Sequence, residues 1–495
     1  MKWLPWIVFA IFGFYLVGNN FQAKLGMIDD HEIAMFLGSD GKVSVDEIPK
    51  EIMRTEVGQW GTYLRYRPSY YTLRVLETSL WKDNARLWFV SRYLMLVVSM
   101  VIAFKIMSLY FPQIVSYMFL FYAMTMPFWP DMLTRLGPSE MYALPAVLIF
   151  VYGMIKSNLW MMSFGYIVAV GSKENLLILF PILLVLFIAK AIKKSLSRYD
   201  WFATAIMTVF TFFVVGAIVV ATMKAGTDVY GAQISYRYRI TKFIWDIPSI
   251  IKSRHLYPAL AVFGIGIVVG FRKLKSNSIL KYLGLMLVIL VVIASQYIFY
   301  INQLPSNTRY DFPALLLFPV LDLIAVKLLL HLLSKHRLHQ VIRYVTYVGL
   351  CLVFTIYIFR RGFTLIHNQS VRVVAHTTYF NVNLDKVSVA VKDDPLASLI
   401  FVSNRPIDFE PIVSVSRYLD SRSIKNNISL SYDIVRDPND PMELHDRLEN
   451  VENGELGSDH IFDRFSKFNL SDTPCYSITF GESLPLPECP EIARF

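Results

Sequence analysis

Residues 3–33 read WLPWIVFAIFGFYLVGNNFQAKLGMIDDHEI. An uncharged apolar run from Trp3 to Val17 gives way to three carboxylates, Asp29, Asp30 and Glu32, around His31. Only Lys2 precedes the run and no small-residue cleavage pattern follows it, so it reads as a retained membrane span and not a removed leader. The rest of the chain has the same character. Of its 495 residues, 55% are hydrophobic and 17% charged, with a mean hydropathy of +0.45. Apolar blocks near twenty residues long read as transmembrane helices. They fall at roughly 3–19, 87–110, 113–129, 141–156, 158–171, 175–192, 201–222, 257–271, 282–301, 313–333 and 344–359, which makes eleven spans.

The net charge of +10 points to cytoplasmic loops rather than to nucleic acid, because lysine and arginine collect on the inner side of polytopic chains. Three turns, 190–198, 271–275 and 335–343, are basic and lack acids. With eleven spans they share one side, which places the N-terminus inside and the C-terminal tail outside. The IDDHE segment, the loop Asp131–Glu140, the turn Ser172–Asn175, Asp228 and the run Asn307–Asp311 all fall on the opposite side. The first outer loop, 20–86, carries Leu73, Leu76, Leu80 and Trp81 on one helical face. A second amphipathic stretch, Ile240–Ile251, is bent or interrupted at Pro248. Both read as helices lying in the membrane interface, walling a cavity suited to a substrate with a lipid tail and a polar head.

After Arg361 the composition turns polar. Residues 371–495 read as a mixed α/β domain, with strand-like runs at Val387–Val391, Leu399–Val402 and Tyr476–Phe480 and a helical pattern around Pro411–Leu419. Cys475 and Cys489 lie in this tail and pair if it faces an oxidising compartment; reduced, buried thiols are the alternative.

One aspartate suffices to cap a helix, yet IDDHE sets three acids beside a bilayer. Carboxylates so placed serve as a general base or hold a divalent cation such as Mg or Mn. Arg65 and Arg67 sit among tyrosines in Tyr63–Tyr71, where snorkelling at the interface competes with phosphate or sugar binding. Arg309 and Tyr310 open the tenth span beside Asp311, a site for a lipid phosphate or an internal ion pair. Glu140, Lys173 and Glu174 sit at span edges on the same side, for metal or phosphate contact or for structural pairing. Asp322, deep in its span, reads as paired to a neighbouring helix.

With these residues assembled, the chain resembles the GT-C superfamily of integral-membrane glycosyltransferases, which take sugars from polyprenyl-phosphate donors. The resemblance rests on Asp29-Asp30 after the first span, as in protein mannosyltransferases and arabinosyltransferases. It rests also on the Arg65–Tyr71 stretch, the interfacial helices and the Asn307–Pro313 motif. It implies a bacterial inner-membrane enzyme in which Asp29 or Asp30 is the base, with Arg65, Arg67, Lys173, Arg309 and Tyr310 on the donor and Glu32, Glu140, Glu174 and Asp311 as polar or metal support. The acceptor would be a glycan, lipid or protein, and the reaction would invert the anomeric centre. No Trp-Trp-Asp motif is present, which disfavours transfer to asparagine, and Arg-Pro-Ser stands where mannosyltransferases carry His-Pro-Pro. A lipid-linked glycan flippase and a polysaccharide polymerase or ligase are the competing classes.

Overall fold

The computed structural model describes residues 3–225, 236–272, 277–300, 303–304, 307–333, 339–403, 409–431, 465–467 and 474–495. Asp228 and the basic residues Lys273, Lys275, Lys335 and Arg337 lie outside them. The chain is a multi-helix membrane protein with a small parallel sheet near its C-terminus. All eleven expected spans are helical. Seven segments are long and apolar enough to cross a bilayer: Leu4–Gln22, Ala85–Ser108, Glu174–Ile192, Arg198–Lys224, Ile279–Phe299, Arg309–Leu332 and His339–Asp393. The other four, Gln113–Ala123, Glu140–Ile155, Leu159–Val170 and Tyr257–Val269, are shorter apolar helices.

Local chemistry sets the ends of these helices. Asn84 caps the Ala85–Ser108 helix by accepting the Leu87 amide at 3.3 Å, and Asn158 caps the Leu159–Val170 helix through Met161 at 3.1 Å. The Glu140–Ile155 and Leu159–Val170 helices form a tight hairpin. A Cβ at Gly165 would stand 2.6 Å from the Ala146 carbonyl oxygen, so only glycine lets these backbones approach.

The Pro68–Trp81 helix is amphipathic in an inverted sense. Its polar residues Arg74, Glu77 and Thr78 are buried against the bundle, while Leu76 and Leu80 are exposed. The second amphipathic helix, Tyr236–Ser253, runs continuously through Pro248 and exposes Ile240, Ile244 and Trp245. Pro248 therefore does not interrupt it. Asp322 is exposed on the flank of its helix and forms no ion pair among the described residues, contrary to the expected pairing.

The tail opens with a 30-residue helix, Thr364–Asp393. The run Val387–Val391, expected as a strand, belongs to this helix. Its alternating valines also satisfy a helical repeat, because Leu384, Val387 and Val391 share one buried face. Five strands follow: β1 (Ser398–Val402), β2 (Ile428–Ser431), β3 (Phe465–Lys467), β4 (Cys475–Thr479) and β5 (Glu491–Arg494). They form one sheet in the order β3-β2-β1-β4-β5, with every pair parallel. β1 is fully buried, as a central parallel strand must be, and the helix Phe409–Ser421 covers the sheet beside the first loop. A disulfide joins Cys475 to Cys489.

The tail shares its core with the first loop, residues 20–86, and the start of the helix after it. Ile33, Phe36, Leu37, Val75 and Trp88 lie in one apolar cluster with Leu384, Phe401, Ile412, Leu419, Ile478 and Phe480. This joint presses the tail against the acidic segment and fixes its geometry.

Candidate functional site

Asp29 and Asp30 sit at the start of the short helix His31–Leu37, and the turn sends their side chains apart. Asp29 adopts a left-handed backbone, φ 66°, a conformation that aspartate tolerates better than most residues. Its carboxylate lines a cavity of about 100 Å³ at the helix ends. Oδ2 accepts from Arg135 Nη2 at 2.5 Å and from Arg309 Nη1 at 3.1 Å. Burial pushes the Asp29 carboxyl upward, but the two guanidiniums outweigh it and hold it below the usual carboxylate range. Asp131 ties these arginines together, accepting from Arg135 Nη1 at 3.0 Å and from the Arg309 amide at 2.9 Å.

Asp30 points away from the cavity. It is buried, accepts the Gly26 amide at 2.7 Å, and keeps Oδ1 4.0 Å from Arg74 with no hydrogen bond. Burial pushes its carboxyl up to about 6, against the pull of Arg74. Burial likewise pushes the His31 imidazole down to about 3, with Arg417 adding to the shift. The residue that organises this buried side is Arg74, itself fully buried. It donates to the Leu136 carbonyl at 2.8 Å and the Asp29 carbonyl at 3.2 Å, and lies 3.7 Å from Glu32. The tail meets the same turn, where the Tyr418 hydroxyl donates to the Gly26 carbonyl at 2.8 Å and Ser414 donates to that of Met27.

Of the residues singled out from sequence, Asp29, Glu32, Arg65, Arg67, Glu140, Lys173, Glu174, Arg309 and Tyr310 all line the one cavity. Asp30 and Asp311 do not. Asp311 is buried and accepts the Asn307 amide at 2.8 Å, so it shapes the turn that carries Arg309. Lys173 pairs with Glu140 at 2.7 Å and lies over the Tyr310 ring at 5.6 Å, with Arg309 over the same ring at 5.3 Å. Glu32 accepts from Tyr70 at 2.9 Å; Arg67 pairs with Glu56 at 3.3 Å, and Arg65 with Glu174 at 4.0 Å. Gln296 fixes the far wall, donating to the carbonyls of Tyr310 and Phe312 at 2.7 and 2.8 Å and accepting the Ala314 amide at 2.8 Å.

Sequence reasoning passed over Arg74, Arg135, Gly137, Tyr70 and Gln296 as site residues. Gly137 is the least replaceable by contact. A Cβ there would stand 2.0 Å from Asp29 Cβ and 2.6 Å from its Oδ2. The only sequence trace of this constraint was Gly-Pro after the Asp131 to Arg135 spacing.

Among the described residues no three His, Cys, Asp or Glu side chains are grouped to hold a metal ion. Two of the lining acids, Asp29 and Glu140, are each taken by a cationic side chain. These residues do not fit the divalent cation expected from sequence. No family model, curated protein or solved structure matches the chain.

Proposed function

We propose that the chain is a membrane glycosyltransferase of GT-C type, moving a sugar from a polyprenyl-phosphate donor to an envelope glycan, lipid or protein acceptor. The observation that carries this reading is one cavity where the Asp29 carboxylate stands beside Arg309, with Arg309 and Lys173 both against the Tyr310 ring. A carboxylate and a cluster of cations around an aromatic face are what sugar transfer from a phosphate requires. The inverted Pro68–Trp81 helix, with its leucines outward, supports a cavity at the bilayer edge. All eleven helical segments cross or enter the membrane in this reading. The Cys475–Cys489 disulfide supports a tail in an oxidising compartment. Because the tail shares a core with the first outer loop, the cavity lies on that side too. In a bacterium this is the outer face of the inner membrane, with the N-terminus inside.

In the proposed reaction the acceptor hydroxyl attacks the anomeric carbon while its proton passes to Asp29. The new bond forms as the bond from that carbon to the phosphate oxygen breaks, and the electron pair leaves with the phosphate. Arg309 and Lys173 stabilise the charge that develops there. Attack opposite the leaving group inverts the centre. Paired with two arginines, Asp29 is ionised and ready to accept a proton at neutral pH. A donor phosphate that engages Arg309 withdraws part of that compensation and makes the carboxylate more basic when the substrate is in place. Asp30, behind the cavity, holds the turn and takes no proton.

The test is transfer by full-length protein in liposomes supplied with mixed polyprenyl-phosphate sugars, read by mass spectrometry as gain of one hexose, pentose or deoxysugar. Asp29→Asn should lower transfer by about 10²- to 10⁴-fold, and asparagine keeps the left-handed turn. Asp30→Asn should stay within about tenfold of the parent, a loss small beside that of a proton acceptor. An Asp29→Asn protein with undiminished product would remove the proposal.

A further inference from the structure

The helix ends opposite Asp29 border a second, open cavity of about 620 Å³, lined among others by Ser108, Tyr110, Phe111, Arg343 and Tyr347. The helix Ala314–Leu332, which follows the Arg309 turn at the first cavity, reaches Lys327 thirteen residues after its start, about 20 Å along a helical rise. The two cavities therefore lie at opposite ends of the bundle.

Their electrostatics differ. In the first cavity almost every cation has a carboxylate partner. Around the second, Lys327 Nζ donates to the Tyr347 hydroxyl at 3.3 Å and lies over the Phe111 ring at 5.5 Å, while Lys281 lies over Tyr110 at 5.7 Å. Arg343 lines the opening. The sequence carries no acid at 101–130, 247–310 or 323–384, and Asp322, five positions before Lys327, lies on a different face of their helix and forms no ion pair among the described residues. The Ser108 hydroxyl is buried with no hydrogen-bond partner. Leu109 of the lining is exposed, as are Ile114, Val341 and Val345, near neighbours in sequence of other lining residues.

We propose that this cavity binds the phosphate headgroup of an anionic membrane lipid. Arg343 in the lining meets the phosphate. Lys281 and Lys327, over the lining rings, add positive charge, and none of the three forms an ion pair among the described residues. The tyrosines sit at headgroup depth, and the exposed aliphatic residues nearby follow the acyl chains. A soluble phosphate would make no use of those aliphatic residues. The site is independent of the transfer chemistry proposed above.

Native mass spectrometry of the full-length protein in detergent tests this, with phosphatidylglycerol and phosphatidylcholine of matched chains as probes. The parent protein should take its first phosphatidylglycerol at least about tenfold more tightly than phosphatidylcholine. The variant carrying Lys281→Gln and Arg343→Gln, both at exposed positions, should weaken that first step by about thirtyfold, since each basic residue contributes roughly a fivefold preference for anionic lipid. Arg309→Gln, in the other cavity, should leave the step unchanged. Equal binding of the two lipids, or a double variant that binds like the parent, overturns the proposal. So does full displacement by millimolar inorganic phosphate, which would make it a soluble-anion site.

Discussion

The cavity around Asp29 and the buried joint behind it meet within one dipeptide and obey opposite rules. On the cavity side, charges lie in ion pairs that remain partly open to solvent, and Asp29 is kept ionised by Arg135 and Arg309. On the joint side, burial dominates, the Asp30 carboxyl rises to about 6, and Arg74 serves the backbone as much as the acids. Two adjacent aspartates thus have unequal chemistry because a left-handed turn sends one to each region. Charge density in a sequence marks where such a site lies. Which carboxylate can react is decided by the packing on either side.

The sharpest way to break this contrast is at Gly137, which presses on Asp29 from the cavity wall. Gly137→Ala inserts a methyl group where the Asp29 side chain now stands. Transfer should fall about 10²-fold, as expected when a reacting group is misplaced by near an ångström. The loss should appear mainly in kcat, because the added methyl meets Asp29 directly and reaches Arg309 only through its hydrogen bond to that carboxylate. Near-parental kcat would mean that Asp29 does not depend on this contact for its position.

Much of this arrangement was legible in the sequence. The apolar blocks all fall on helices, seven of them long and apolar enough to cross a bilayer, since a bilayer demands long apolar segments and leaves a strong trace. The cavity residues Asp29, Arg65, Lys173 and Arg309 were legible because charge at a span edge is rare. Arg74 was not: it lies in an amphipathic helix whose leucines drew attention to the wrong face, and its partners are mostly backbone carbonyls that leave no mark in composition. Gly137 was invisible for a related reason, since its role is the absence of a side chain. Val387–Val391 was misread because five residues cannot separate a two-residue period from two positions four apart. The shared core of tail and first loop joins segments more than 300 positions apart, and no local pattern reports such a contact.

A second test concerns acid and base on the joint side. The native state raises the Asp30 carboxyl from 3.8 to about 6, so between those values the folded protein binds more protons than the unfolded one. Stability should therefore be highest below 3.8 and fall as pH rises through about 6, with a slope approaching 1.4 kcal/mol per pH unit. Asp30→Asn should flatten this component of the thermal-stability profile. Asp29, held low, contributes in the opposite direction: its stabilisation is present above 3.8 and is lost as pH falls through its depressed value. Asp29→Asn should accordingly remove stability at neutral pH and leave the Asp30 slope in place. Identical pH profiles for the two variants would erase the distinction between the regions.

The smallest effect asks whether the joint is one cooperative unit. Tyr418, in the tail, donates to the half-buried Gly26 carbonyl beside Asp30 from a ring buried in the shared core. Tyr418→Phe keeps the ring and removes only the hydroxyl, which should cost about 1 kcal/mol by leaving a half-buried carbonyl without its partner. Tyr379 supplies the control. Its hydroxyl also donates to a backbone carbonyl, that of Arg494 at 3.2 Å, but at an exposed site where water replaces the lost bond. Tyr379→Phe should change stability by well under about 1 kcal/mol. Because Gly26 precedes the carboxylates by only a few residues, the Tyr418→Phe penalty should lower the unfolding midpoint of the first loop and the tail together, as followed by hydrogen exchange in both segments. A penalty confined to the tail would mean that the two fold independently, and that the position of Asp29 owes nothing to the sheet domain packed behind it.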